Sequence, residues 1–183
     1  MTKTNEKKPT WSDLKRKLID LDQNAWLGLA KDLYSASKEN QAFLHARFGL
    51  GDDILKPYKT TISRWVCPDV MRNQDTSVSK AKKAITDYKK AVGQSEGMVE
   101  LLVFYCESCR DFLGDCSVDD GGYFNTLVLI FEQALQTICQ LDPGRQEQYL
   151  ERLDSVQYEA EDWGWGVGED MDNLMAVYGF KEK

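Results

Sequence analysis

Apolar residues return at every third or fourth position along almost the whole chain. Nowhere do they alternate with polar ones for long enough to make a strand. That spacing lines up side chains on one face of an α-helix, and it constrains the fold more than any other feature. Leu14, Leu18 and Leu21 predict a helix over Trp11–Leu21 with Ser12 or Asp13 as its cap. Asp22 caps a second helix, whose Ala25, Trp26, Leu29, Ala30, Leu33 and Tyr34 form a broad stripe expected to be buried. Ser37 caps a third, with Phe43, Leu44 and Phe48 apolar and Gly49 as its stop. A fourth runs from Asp53 through Tyr58, Ile62 and Trp65. Pro57 lies in its first turn, where a helix tolerates proline, and Pro68 marks its end.

The remaining chain follows the same rule. Asp69–Thr76 reads as a loop, and Ser77 or Ser79 starts a basic helix carrying Ala81, Ala84, Ile85 and Tyr88, stopped by Gly93. Ser95–Leu113 is the most apolar helix, with Gly114 as its expected end. Asp115–Gly122 is an acidic turn and Tyr123–Leu141 another apolar helix. Asp142-Pro143 opens a helix to Tyr158, and Glu169–Tyr178 makes the last one. Leu33 to Phe43-Leu44 and Ile138 to Tyr149-Leu150 echo each other as helix–turn–helix units, too few for a solenoid. The expected fold is all-α, about eight or nine helices packed as antiparallel hairpins in a bundle or short stack of helix pairs. Residues 1–10 are expected to be a disordered tail and residues 11–183 a single helical domain.

Two stretches of special composition stand out. Trp163-Gly164-Trp165-Gly166-Val167-Gly168 alternates large aromatics with glycines and runs into Glu169, Asp170 and Asp172. Glycines at that density permit positive φ and close approach of the backbone. The two tryptophans either seal the end of the helical stack or form a recognition patch, and Trp163, Trp165, Glu169 and Asp170 are the partner-binding candidates. The second stretch is electrostatic. Residues 56–92 hold nine basic and three acidic groups, whereas residues 93–183 hold five basic and nineteen acidic. Lys80, Lys82, Lys83, Lys89 and Lys90 lie on one helix and are the candidates for a basic face.

Known catalytic patterns are missing. No metalloprotease histidine pair, phosphate loop or dinucleotide fingerprint occurs, and Gly164-x-Gly166-x-Gly168 lacks a preceding strand. His45, the single histidine, has nothing local that marks it as a catalytic base. Cys106-x-x-Cys109 lies on a predicted helix without the second close pair of a structural zinc site, so buried thiols are expected and no metal or cofactor is assigned. The acidic residues Asp115, Asp119, Asp120, Glu159, Glu161, Asp162, Glu169, Asp170 and Asp172 do not follow calcium-loop spacing; those at 169–172 suit a helix's first turn.

The longest apolar runs, Leu101–Cys106 and Leu127–Phe131, are far short of the ~20 residues of a membrane helix. The lysine-rich N-terminus does not resemble a signal peptide. Five cysteines, an odd number, suit a reducing compartment, so cytoplasm is expected.

The pieces Leu33-Tyr34, Glu39-Asn40, Phe43-Leu44, Arg47, Pro57-Tyr58-Lys59, Ile62, Pro68-Asp69-Val70, Ala81-Lys82-Lys83-Ala84-Ile85, Tyr88-Lys89-Lys90-Ala91, Glu100-Leu101, Phe104-Tyr105, Glu107 and Gly164-Trp165-Gly166 fall within residues 14–178. In them the chain resembles an uncharacterised family of bacterial proteins known only as a domain of unknown function. The resemblance implies a small helical cytoplasmic protein and no activity. A non-enzymatic module binding another protein is the leading expectation. A nucleic-acid-associated accessory protein using residues 56–92 is the second, and a metal-dependent enzyme using the acidic loops 115–120 and 159–172 the third.

Overall fold

The computed structural model describes residues 8–93 and 96–180, and the regular structure there is entirely helical. Its α-helices are α1 (Trp11–Ile19), α2 (Gln23–Ala36), α3 (Lys38–Phe48), α4 (Lys56–Val66), α5 (Val78–Val92), α6 (Glu96–Asp115), α7 (Gly121–Ile138), α8 (Pro143–Ala160) and α9 (Val167–Val177). The fold is an all-α bundle, as the spacing of apolar residues required. Most of the expected tail, up to residue 7, and the expected helix start at Ser95 lie outside the described residues. Among the described residues no helix is long and apolar enough to cross a membrane.

The chain forms two compact units, Met1–Leu44 and His45–Lys183. In the first, Thr10 and not Ser12 or Asp13 caps α1. Its hydroxyl accepts from the Asp13 amide at 3.4 Å, while the Asp13 carboxylate accepts from the Thr10 amide at 2.9 Å. This reciprocal box satisfies two end donors that the helix leaves unpaired. Asp22 caps α2 as expected, accepting from the Ala25 amide at 2.8 Å. The stripe on α2 is a correction: α1 and α2 bury no side chain, and Trp11, Trp26, Leu27 and Leu33 are all exposed. Periodicity fixes which face would be buried; it does not supply the surface that buries it.

The second unit is built around α6, which packs against α4, α5, α7 and α8, while α9 packs on α7 and α8. A helix touched from several sides must be apolar nearly all round. α6 meets that condition with Met98, Val99, Leu101, Leu102, Val103, Tyr105, Cys106, Cys109 and Phe112 buried. Gly97 lets α5 close on α6, since a Cβ there would run into the Tyr88 ring. Gly114 does not stop α6, which continues to Asp115 and whose last turn is held by the Cys116 amide bonding the Phe112 carbonyl at 2.9 Å. The expected loop after Pro68 contains a short 3-10 turn, Val70–Arg72, capped by Asp69. α7 starts earlier than expected because Asp120 accepts from the Gly122 and Tyr123 amides at 2.8 and 3.3 Å.

Candidate functional site

The Trp-Gly run is the turn between α8 and α9. Gly164, Trp165 and Gly166 all adopt the left-handed conformation, with φ of 76°, 55° and 69°. The glycines do so freely, but a bulky side chain there costs about 1–2 kcal/mol. The ring of Trp165 gives the turn a reason to persist. It stacks on Phe124 with centroids 6.2 Å apart and planes at 24°, and it lies over Gly121, where a Cβ would stand 3.1 Å from the ring. Only one face of the ring is covered, for Trp165 remains 63% exposed. Trp163 is half-buried, while Glu169 and Asp170 are exposed in the first turn of α9. The Trp165 ring thus closes the end of α7 while most of its surface meets solvent.

Because Trp165 sits on the start of α7, the turn brings two acidic segments to one end of the unit. Asp119 and Asp120 precede α7; Glu161, Asp162, Glu169 and Asp170 flank the turn, and all six are exposed. They do not form a cage. Among the described residues no three His, Cys, Asp or Glu side chains are grouped to hold a metal ion, and Asp120 is committed to its cap. The enzymatic expectation thus has no ligand set in the described residues.

On α5 the lysines are divided. Lys83 pairs with Asp87, Lys90 lies 3.8 Å from the same carboxylate, and the Lys80 ammonium sits over the Trp65 ring at 3.7 Å. Lys82 is half-buried and Lys89 exposed. Asp87 interrupts what charge counting alone presents as a basic face.

A polar network absent from the sequence reading joins α4, α6 and α8. Arg152 grips Glu107 with two bonds of 2.7 Å and Glu100 with bonds of 2.6 and 3.2 Å, while Lys59 reaches Glu100 at 2.6 Å. Burial by itself would raise the Glu100 pKa, but the hydrogen bonds from Arg152 and Lys59 outweigh it and hold the carboxyl below its ordinary value. Glu107, with Arg152 fully engaged, raises the arginine further from its ordinary range against the opposing effect of burial. Two cations and two carboxylates cancel, so the network is a structural clamp with no net charge to offer a ligand.

Cys106 and Cys109 point into the core, and burial pushes both thiols well above the ordinary range. A thiol that stays protonated is a poor nucleophile. Cys139 is exposed, and Cys67 and Cys116 are half-buried. Labelling of the native protein with a thiol reagent should therefore modify Cys139 quickly, Cys67 and Cys116 slowly, and Cys106 and Cys109 only after unfolding. Peptide mapping of the labelled protein checks this. The hydroxyls of Tyr58 and Tyr105 are buried without a hydrogen-bond partner among the described residues, and burial, with Asp87 and Tyr88 behind it, pushes Tyr58 up to about 12. His45 is half-buried on α3. Comparison with family models, with curated proteins and with solved structures finds no match.

Proposed function

We propose that the protein is a non-enzymatic helical module that binds another protein at its Trp165 end, and that the partner presents basic residues there. The observation that carries this reading is an exposed tryptophan held in a strained backbone conformation. Strain of 1–3 kcal/mol kept at an exposed position is a reason to look for function. Tryptophan is also the side chain that most often anchors a protein interface. An arginine of the partner would lie on the open ring face, and the surrounding carboxylates would favour its charge. The five free cysteines support a reducing compartment, which we take to be the cytoplasm.

The test compares wild-type protein and Trp165→Gly as baits, followed by calorimetry with the purified partner. Glycine accepts the left-handed φ, so the relief of strain offsets the lost ring stacking, and stability should change by no more than ~1 kcal/mol. Affinity should fall by about 30-fold or more, the loss typical of an interface anchor. Equal retention by both baits, or no partner for either, removes the proposal.

A further inference from the structure

A depression of about 470 Å³ runs along the outer face of α4 beside Phe104 of α6. Its charge opposes that of the molecule as a whole, which carries −7. Lys56, Lys59 and Arg64 line it with a single carboxylate, Asp53, and because Glu100 already neutralises Lys59 the groove keeps one positive charge. Asp53 is already committed, its Oδ1 accepting from the Leu55 and Lys56 amides at 2.9 and 3.0 Å.

The donors differ in how firmly they are held. The Arg64 guanidinium lies 4.3 Å from the Trp65 ring centroid and gives one hydrogen bond of 3.2 Å from Nη1 to the Asp75 carbonyl. Among the described residues Nε and Nη2 stay uncommitted, on a group whose orientation is fixed by the ring, a preorganised fork suited to an oxyanion. Lys59 is positioned by Glu100 and by the Phe104 face at 5.1 Å. Thr60 has spent its hydroxyl proton on the Lys56 carbonyl at 2.9 Å. The Ser63 hydroxyl makes no hydrogen bond among the described residues and lines the depression between these cations.

We propose that this groove binds a phosphate monoester dianion. A monoester presents about two negative charges and three acceptor oxygens. The groove answers with one uncompensated positive charge and with three donor groups, the Arg64 fork, the Ser63 hydroxyl and the Lys56 ammonium. A carboxylate or a phosphodiester offers only two terminal oxygens and leaves one of the three donor groups unanswered. The depression is open to solvent, so the group that carries the phosphate extends outward, whether a small metabolite or a phosphorylated side chain.

The test is a titration of isotope-labelled full-length protein, followed by amide chemical shifts. The probes are glycerol phosphate, a phosphoserine peptide and dimethyl phosphate, at low and matched ionic strength. Either monoester should shift the Ser63 and Arg64 amides with affinity about tenfold or more above that for dimethyl phosphate. A preference between the two monoesters identifies the source. Lys56→Gln, an exposed change that leaves the fold intact, should weaken binding several-fold, and Ser63→Glu should abolish it. Shifts no larger than those from added sodium chloride, equal binding of the diester, or unchanged binding by Lys56→Gln would overturn the proposal.

Discussion

Arg152→Ala should cost about 3 kcal/mol of unfolding free energy, toward the lower end of what breaking a buried ion pair costs. Two observations set that figure. The arginine makes four hydrogen bonds to two carboxylates, so its loss strands Glu107 and leaves Glu100 with Lys59 alone. Against this, the side chains keep 31%, 19% and 20% of their exposure, and water compensates part of the loss. For a chain of this length the melting temperature should drop by about 6–12 °C.

The effect also has a signature in pH. The Glu100 carboxyl is held below its ordinary 4.5, so the stability it contributes is fully present above that pH and fades as pH falls through the lower folded-state value. In Arg152→Ala burial acts on Glu100 with less opposition, and protonation relieves it. The gap between wild type and variant should therefore narrow in urea unfolding at pH 3.5 relative to pH 7. Adding Glu107→Gln to Arg152→Met should recover much of the loss, because Glu100 keeps Lys59 as its partner and no ion is then left unpaired. A gap that is small at pH 7, or constant with pH, would mean that the network contributes little.

That clamp marks the boundary of what the sequence alone discloses. Helices are local objects, and their signals are local. Asp22, Ser37, Pro57, Gly49 and Gly93 were readable as caps, first-turn proline or stops because each acts on neighbours a few residues away. Thr10 is not singled out because Ser12 and Asp13 are equally good cap residues and stand nearer to Leu14, the first of the regularly spaced leucines. Gly114 misled because a glycine stops a helix only where nothing holds the next turn, and Phe112 holds this one. The partners of Arg152 lie 45 and 52 positions away, and nothing in local spacing selects Glu107 and Glu100 from thirty acidic residues. The α4 groove is likewise a product of packing, since Phe104 and Lys59 meet only when α6 crosses α4. Charge counting placed the basic candidates on α5, yet Asp87 divides those lysines, and the basic groove lies along the preceding α-helix.

Gly168→Ala should be at least as damaging as the loss of Arg152, about 3 kcal/mol, the upper part of the range for overpacking. An added Cβ would stand 2.7 Å from the Glu161 Cα, 2.8 Å from its nitrogen and 3.0 Å from the Ala160 carbonyl carbon. All three are backbone atoms at the end of α8, so no rotamer change can clear them, and α9 must move away from α8 as a body. Gly144→Ala is the matched control: nothing lies within 4 Å of that Cβ, and alanine's better helix propensity should make it neutral or stabilising by up to ~1 kcal/mol. Chemical denaturation of the two variants measures the difference. The displacement at Gly168 also reaches the turn, because Gly164, Trp165 and Gly166 are fixed between the same two helices. A folded fraction of Gly168→Ala should therefore lose the Trp165–Phe124 stacking and with it the affinity for the proposed partner, although the tryptophan itself is unchanged. Retention of that affinity would show that the turn holds its shape without the close contact of α8 and α9, and that the strain at Trp165 is maintained by the ring's seat on α7.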